Sequence, residues 1–343
     1  MITVSQGGSC YERCFMRANG CKASLFAVVL GCMLSITLVS SLWSQPAYPT
    51  KPIDLLIGYA PGASGDLTER LLAGKAEKYL GQPFIPTNNG GGSGAVAVTL
   101  GAKKPPDGYS LLGSSSTAIV RVPLFKTVPY KWDDVMPIMH FAAPVLTSLV
   151  VKSDSPWKTL KELIDYAKKN PGKVTYSTLG VGSPMHMAME YIAKQEGGIK
   201  WTHVPYQGTM PAFMALLGGH VSVQLGSGEC VPYVKDGTLR LLANVGERRV
   251  KNFPDVPTLK ELGYDYFNET VFLFAAPKGT PQSTIDRLDK ALHQAMADPD
   301  FTGLLARLEL EPTYRNSADT MKYLQDANRR LAKMIQELKI PKE

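Results

Sequence analysis

Cysteine is nearly absent from most of this chain. Five occur in 343 residues, and four of them, Cys10, Cys14, Cys21 and Cys32, precede residue 48. Only Cys230 follows, which excludes an intramolecular disulfide and a cysteine-built metal cluster from the body of the protein. Histidine is scarce too. His140, His186, His203, His220 and His293 show no H-E-x-x-H spacing. His186 and Glu190 stand four apart on one predicted helix, where a surface pair is a simpler reading than two metal ligands. There is no G-x-S-x-G nucleophile elbow, since GGSGA at 91–95 lacks the final glycine, and no G-x-x-x-x-G-K loop. Residues 90–95 fit G-x-G-x-x-A, but the strand before them carries Pro86 and no acid falls neatly about 20 residues on. No cofactor, metal or catalytic residue is therefore expected. Long basic blocks and aromatic–basic alternation are also missing. The net charge of +7, from 37 Lys and Arg against 30 Asp and Glu, is spread along the chain and predicts no nucleic-acid partner.

Long uncharged apolar stretches are confined to one place. Residues 23–43, ASLFAVVLGCMLSITLVSSLW, follow Arg13, Arg17 and Lys22 and precede the polar, proline-rich SQPAYPTKP. A basic start, an apolar stretch and small residues after it read as a signal peptide over 1–47 that directs the chain to the periplasm. Met16 is the more usual start for such a leader, and cleavage is expected between Val39 and Thr50, with Ser41 and Ala47 as small residues at the site. The alternatives are a single membrane anchor, since the run approaches the ~20 residues needed to span a bilayer, and a lipid-modified Cys32.

Beyond residue 47 the length suits two domains. Strand-like runs at 53–59, 83–87, 109–115, 147–152, 173–180, 201–206, 220–228, 238–245 and 269–277 alternate with helical segments at 66–80, 95–103, 159–170, 183–197 and 211–219. The C-terminus reads as three helices, 282–297, 299–308 and 318–338. Asp66 with Glu69, and Thr159 with Glu162, have capping-box spacing, and Ser183-Pro184 has the N-cap and first-turn residues of a helix that ends at Gly197. The alternation predicts an α/β protein with mostly parallel sheets.

Five glycine-rich or small-residue turns fall where a strand ends and a helix begins: APGASGD, NNGGGSG, GSSSTA, STLGVGSPMH and YQGTMPA. In open α/β sheets this is where ligands sit. The turns supply backbone N–H groups, hydroxyls on Ser64, Ser114, Ser115, Ser116, Thr117, Ser177, Thr178, Ser183 and Thr209, and helix N-termini, with few charges and no acid–base pair. Any one of them is adequately explained as a tight turn. Together they suit a cleft that holds a carboxylate without reacting with it. Four to six hydrogen bonds to a charged group, at roughly 1.5–3 kcal/mol each, suffice for micromolar affinity.

The segments YPTKPIDLLIGYAPGASGD, LGQPFIPTNNGGGSGAVAV, PPDGYSLL, TLKELIDYAKKNPGKVTYSTLGVGSPMHMAMEYI, HVPYQGTMPAFMALLGGHVSV, DGTLRLLAN and FPDVPTLKELGY, in that order over nearly all of 48–340, resemble the extracytoplasmic receptors of tripartite tricarboxylate transporters, the Bug family. The resemblance implies a bilobal periplasmic binding protein of type II-like fold, with two Rossmann-like α/β domains joined by a two-strand hinge. Lobe 1 would be 48–147 with 272–343, and lobe 2 would be 148–271. It implies a monomer that binds a small carboxylate and passes it to membrane permease subunits. Carried over residue by residue, the ligand-binding positions are Tyr59, Ala60, Pro61, Gly62, Ala63, Ser64 and Asp66, then Ser115 and Arg121, then Thr178, Gly180, Gly182, Ser183 and His186, with Tyr206 and Gly208 from V-P-Y-x-G. The chain departs from the family pattern at Ala63, where a second glycine is usual. TNNGGGSG stands for E-N-R-P-G-A-G-G, and Arg121 stands where asparagine is common. QLGSGEC at 224–230 is also unusual. Arg121 suits a second carboxylate on the ligand or a surface position. The alternatives are an amino-acid-binding receptor, with Glu229 as the nearby acid for an α-amino group, and an exported α/β hydrolase.

Overall fold

Ile53, Leu55 and Ile57 are each fully buried, so the first strand, β1 (Ile53–Ile57), lies inside a sheet rather than at its edge. The computed structural model describes residues 48–343 except 179, 181, 207, 208, 268, 269, 341 and 343; the expected export segment lies outside the described residues. β1 pairs in parallel with β2 (Phe84–Asn88) and with β3 (Ser110–Ser115). Pro86 sits in β2, the edge strand of that sheet, where its missing N–H costs no ladder bond. Between β1 and β2 runs α1 (Ser64–Leu80), and between β2 and β3 runs α2 (Ala95–Gly101). After β3 the chain makes a π-turn at Thr117–Arg121 and a short helix, α3 (Val122–Phe125).

The rest of this sheet is antiparallel. The strands β4 (Val135–Pro144), β10 (Phe272–Pro277) and β11 (Leu310–Arg315) complete the order β11-β4-β10-β3-β1-β2. A second group begins with β5 (Ser148–Lys152) and α4 (Leu160–Lys169), followed by β6 (Thr175–Thr178) and α5 (Pro184–Gln195). It continues through β7 (Thr202–Pro205), α6 (Thr209–Leu217), β8 (Gln224–Gly226), α7 (Val231–Lys235) and β9 (Leu239–Asn244). β5 is flanked by β8 and β9, β6 pairs with β7, and a bridge from Tyr176 to Val223 ties the two small sheets together. Three helices, α8 (Gln282–Ala295), α9 (Pro299–Arg307) and α10 (Ser317–Leu338), close the chain. Of the strand pairings described, β1 with β2, β1 with β3 and β6 with β7 are parallel, while β10 with β3, β10 with β4, β11 with β4, β5 with β8 and β5 with β9 are antiparallel. The expectation of mostly parallel sheets is therefore corrected. The chain returns to the first sheet through β10 without a helical crossover, and that return reverses strand direction.

Each of the two groups of strands has a core of its own. Val98, Leu112, Ile119 and Leu273 pack with Leu324 and Leu331 of α10. Leu149, Val151, Leu163, Tyr176 and Ile192 form a second core, against which Met334, Ile335 and Leu338 at the other end of α10 are packed. One 22-residue helix thus touches both. Burying a leucine fully contributes roughly 1.5–3 kcal/mol, so α10 is a substantial tie. The backbone passes between the sheets at 145–147 and again just before β10.

Local signals set several helix starts. Thr159 caps α4, accepting from the Glu162 N–H, while the Glu162 carboxylate accepts from the Lys158 N–H at 2.6 Å. Ser183 caps α5 by accepting from the His186 N–H, and Pro184 occupies the first turn. The expected capping box at Asp66 and Glu69 does not form. α1 begins at Ser64 with Ala63 as an extended N-cap at φ −68, an ordinary value for a residue with a methyl group. Asp66 turns back to accept from the Gly62 N–H at 2.8 Å, and Glu69 points into the protein and is fully buried.

Candidate functional site

The C-terminal ends of β1, β2 and β3 lie side by side, as the parallel register requires, and their loops converge. Asp66 organises the first of them. Its carboxylate accepts from Gly62 N–H, from Asn88 Nδ2 at 2.7 Å and from Arg70 Nη2 at 2.8 Å. Burial opposes its ionisation, but the bonds from Asn88, Gly62 and Arg70 outweigh burial and hold it below the usual carboxylate range. The α1 N-terminus thus already has an anion, supplied by the chain itself. Asn88 also donates to the Tyr59 carbonyl at 3.1 Å and so fixes the turn from outside.

Tyr59 turns inward. Its ring lies over Gly65 and against Phe272, 5.7 Å between centroids. Burial, reinforced by Glu69 alongside, pushes the phenol far above its ordinary value. Glu69 sits beneath, so close to β3 that a Cβ at Gly113 would fall 2.1 Å from its carboxyl oxygen. Desolvation, and then the negative charge of Asp66, raises the Glu69 carboxyl well above the usual range and so favours its protonated form.

The second sheet group contributes the turn from β6 to α5. The Thr178 hydroxyl contacts the Gly180 N–H at 2.9 Å and the His203 ring at 2.5 Å. His186 lies against His203, 4.8 Å between ring centres, and its Nδ1 accepts from the Gly182 N–H at 3.4 Å. In that arrangement neutral His186 carries its proton on Nε2, and the ring supports the turn from behind. Glu190 accepts from the Tyr176 hydroxyl at 3.0 Å. Among the described residues no group of three His, Cys, Asp or Glu side chains is placed to hold a metal ion.

Between these loops lies a cavity of about 430 Å³, within the range of small-molecule sites. Of the positions singled out in the sequence, Tyr59, Ala60, Ser115, Arg121, Thr178, Gly182 and Ser183 line it. Pro61, Gly62, Ala63, Ser64, Asp66, Gly180, His186 and Tyr206 are not among the lining residues, and Gly208 lies outside the described residues. Asp66 and His186 instead hold the loops that line it. Gly90, Gly91, Ser93 and Gly94 after β2, Ser114 on β3 and Ser177 on β6, all from turns singled out in the sequence, line it as well, and the structure adds Gln224 on β8. The glycine-rich turns and hydroxyls were visible in the sequence. Gln224 carried no local signal beyond its place in an unusual stretch.

The chemistry of the lining is one-sided. Arg121 and Lys126 are its charged members, and no Asp or Glu is among the lining residues described. Glu229 accepts from Ser227 N–H at 3.0 Å and does not line the cavity; burial raises its carboxyl above the ordinary value. Ser114 Oγ, Ser177 Oγ and Gln224 Oε1 are buried with no hydrogen-bond partner among the described residues. Buried polar atoms are normally paired, so these three atoms, drawn from both groups of strands, are suited to a polar ligand.

Residues 68–340 match the family described as "Tripartite tricarboxylate transporter family receptor". The chain belongs to this receptor family. A Cupriavidus necator protein named "UPF0065 protein in gbd 5'region" is 38% identical over 300 residues, which is 86% of this chain and 90% of that protein. Among solved structures, the periplasmic binding protein BugD is similar with a TM-score of 0.72 at 27% identity, over 86% of this chain and 100% of BugD. R. palustris Rpa4515, solved with adipate, gives a TM-score of 0.75 at 26% identity, over 86% of this chain and 100% of that one. The receptor therefore has the bilobal α/β fold of periplasmic binding proteins. It stands among extracytoplasmic solute-binding receptors, whose work is binding rather than catalysis. No helix among the described residues is long and apolar enough to cross a membrane.

Proposed function

We propose that this receptor captures a small carboxylate in the cavity between its two sheet groups and delivers it to the membrane subunits of a tripartite tricarboxylate-type transporter. One observation carries the reading: among the described residues the lining bears two cations and no acid, beside buried hydroxyls without a hydrogen-bond partner. An amino-acid receptor needs an acid for the α-amino group, and the sequence candidate, Glu229, is bonded elsewhere. A structural relative solved with adipate agrees with the carboxylate class. Lobe 1 comprises 48–147 with 272–343 and lobe 2 comprises 148–271, hinged where the chain crosses at 145–147 and again before β10. Residues 1–47 are removed on export, and the protein works as a monomer.

The test is a thermal-shift series on the mature protein with mono-, di- and aromatic carboxylates, matched amides, and free amino acids. Stabilisation by one or more carboxylates, with no response to their amides, is the expected outcome. Stabilisation by amino acids alone contradicts the reading.

A further inference from the structure

Arg121 is a buried cation to which the described residues give no anion. The residue is 3% exposed. Among the described residues no carboxylate pairs with it, and its hydrogen bond in the protein is a single long one, from Nη1 to the Gly182 carbonyl at 3.4 Å. A guanidinium offers five N–H donors in a fork that matches a carboxylate. A buried charge is tolerated when something pairs with it. Two other arginines show the contrast: Arg70 meets Asp66, and Arg249 meets Glu261.

Its position gives the pairing a direction. The Thr117–Arg121 turn brings Arg121 to the cavity beside Gly182 and Ser183, where α5 begins, and the first turn of α5 contains no acid. Ser114 and Ser177, each 1% exposed, border the same cavity from the ends of β3 and β6, and their hydroxyls have no hydrogen-bond partner among the described residues. Cationic and hydroxyl groups are thus distributed around one enclosure instead of gathered at one point.

We infer that Arg121 selects for ligand charge: it binds a second carboxylate, so that the ligand is a dicarboxylate. This rests on the carboxylate reading above. The second carboxylate takes the guanidinium fork at the start of α5, and the first is held by the hydroxyls and N–H groups at the strand ends. The bond from Arg121 to Gly182 also ties the two sheet groups, but a tie alone would affect every ligand equally. Selection would not.

Calorimetry separates the two. The mature protein and its Arg121→Gln and Arg121→Lys variants are titrated with α,ω-dicarboxylates from succinate to suberate and with the monomethyl ester of each, which keeps the length and removes one charge. At least one diacid is expected to bind the parent protein tenfold or more tighter than its ester. In Arg121→Gln that preference falls to threefold or less, almost entirely through loss of diacid affinity, and Arg121→Lys keeps part of it. The ligand-free Arg121→Gln protein melts no lower than the parent. An undiminished preference in Arg121→Gln, or equal loss for diacid and ester, overturns the inference. So does parent protein that binds diacids and esters alike, although that result leaves the carboxylate reading standing. Failure to bind any acid of either series overturns the inference, while the carboxylate reading stands or falls on the thermal-shift series.

Discussion

Arg121 and Gly182 meet across 3.4 Å, one on the turn after β3 and the other on the turn before α5. The two turns belong to different sheets, so this bond joins the two sides of the cavity. Gly182 is also pressed against Phe125 of α3: a Cβ at position 182 would lie 2.3 Å from the ring, and the backbone there has φ +78. The turn that offers a carbonyl to Arg121 therefore depends on having no side chain.

Gly182→Ala should consequently damage both stability and binding. The strained backbone and the clash with Phe125 together are expected to cost about 1–3 kcal/mol, read as a lower urea midpoint with an unchanged slope. Carboxylate affinity should fall further than Ser183→Ala makes it fall, since the latter loses a helix cap worth about 0.5–2 kcal/mol. A Gly182→Ala protein as stable as the parent would mean that Phe125 moves freely out of the way.

Glu69 sets a pH dependence. Its folded carboxyl titrates well above its unfolded value because it is desolvated and faces Asp66. The folded state keeps a proton that the unfolded chain gives up above about pH 4.5. Stability from this group is therefore present below that pH and is lost as pH rises, by up to about 1.4 kcal/mol per unit until the folded carboxyl itself ionises. Glu69→Gln, which is uncharged at every pH, is expected to be more stable than the parent at pH 7.5, with the difference closing near pH 4.5. Equal stability of the two proteins across that range would contradict a protonated Glu69.

His140 imposes the opposite slope. It is buried on β4, with Nδ1 accepting from Arg315 at 2.9 Å and Nε2 against the Thr313 hydroxyl at 2.6 Å. Burial, and then the charge of Arg315, lowers its value from 6.5 to about 3. Below pH 6.5 the unfolded chain takes up a proton that the folded protein refuses, so stability falls as pH falls from 6.5 towards about 3. Histidine NMR shifts followed between pH 7 and pH 4 should show His140 remaining neutral. A midpoint near 6 would mean that the ring is solvated.

The local part of this architecture was readable in advance. Thr159 with Glu162, Ser183 with Pro184, and Pro86 on an edge strand each depend on residues within a few positions of one another. β4 was missed because Val135–Pro144 is buried on both faces for most of its length and carries Pro137, so it shows no alternation. β11 was missed for the opposite reason: it is an edge strand with Glu311 and Pro312 in its middle. Asp66 and Glu69 misled because distant partners claim both. Asp66 is drawn back to the turn and to Asn88, and Glu69 is driven under Tyr59. In the cavity, serines in turns signalled hydroxyls, but only the folded structure shows that Ser114, Ser177 and Gln224 lack partners among the described residues.

Closure should accompany binding. A ligand that contacts both sheet groups binds the closed arrangement better than the open one, and that difference is what shifts the population. Small-angle scattering is expected to give a smaller radius of gyration with saturating carboxylate than without it. The last turn of α10 packs on the second core while its middle packs on the first, so opening must loosen or bend that helix. Hydrogen exchange at Met334–Leu338 should slow on binding. Identical scattering curves with and without ligand would reject a hinge.

The central claim, that a carboxylate is held between the two sheet groups, is tested most directly by a crystal structure of the mature protein with the tightest-binding dicarboxylate of the calorimetric series. The account predicts one carboxylate within hydrogen-bond distance of Ser114 or Ser177 and the other in the fork of Arg121. A dicarboxylate bound elsewhere on the protein, or one lying in the cavity with neither end at Arg121 nor at these hydroxyls, would contradict it.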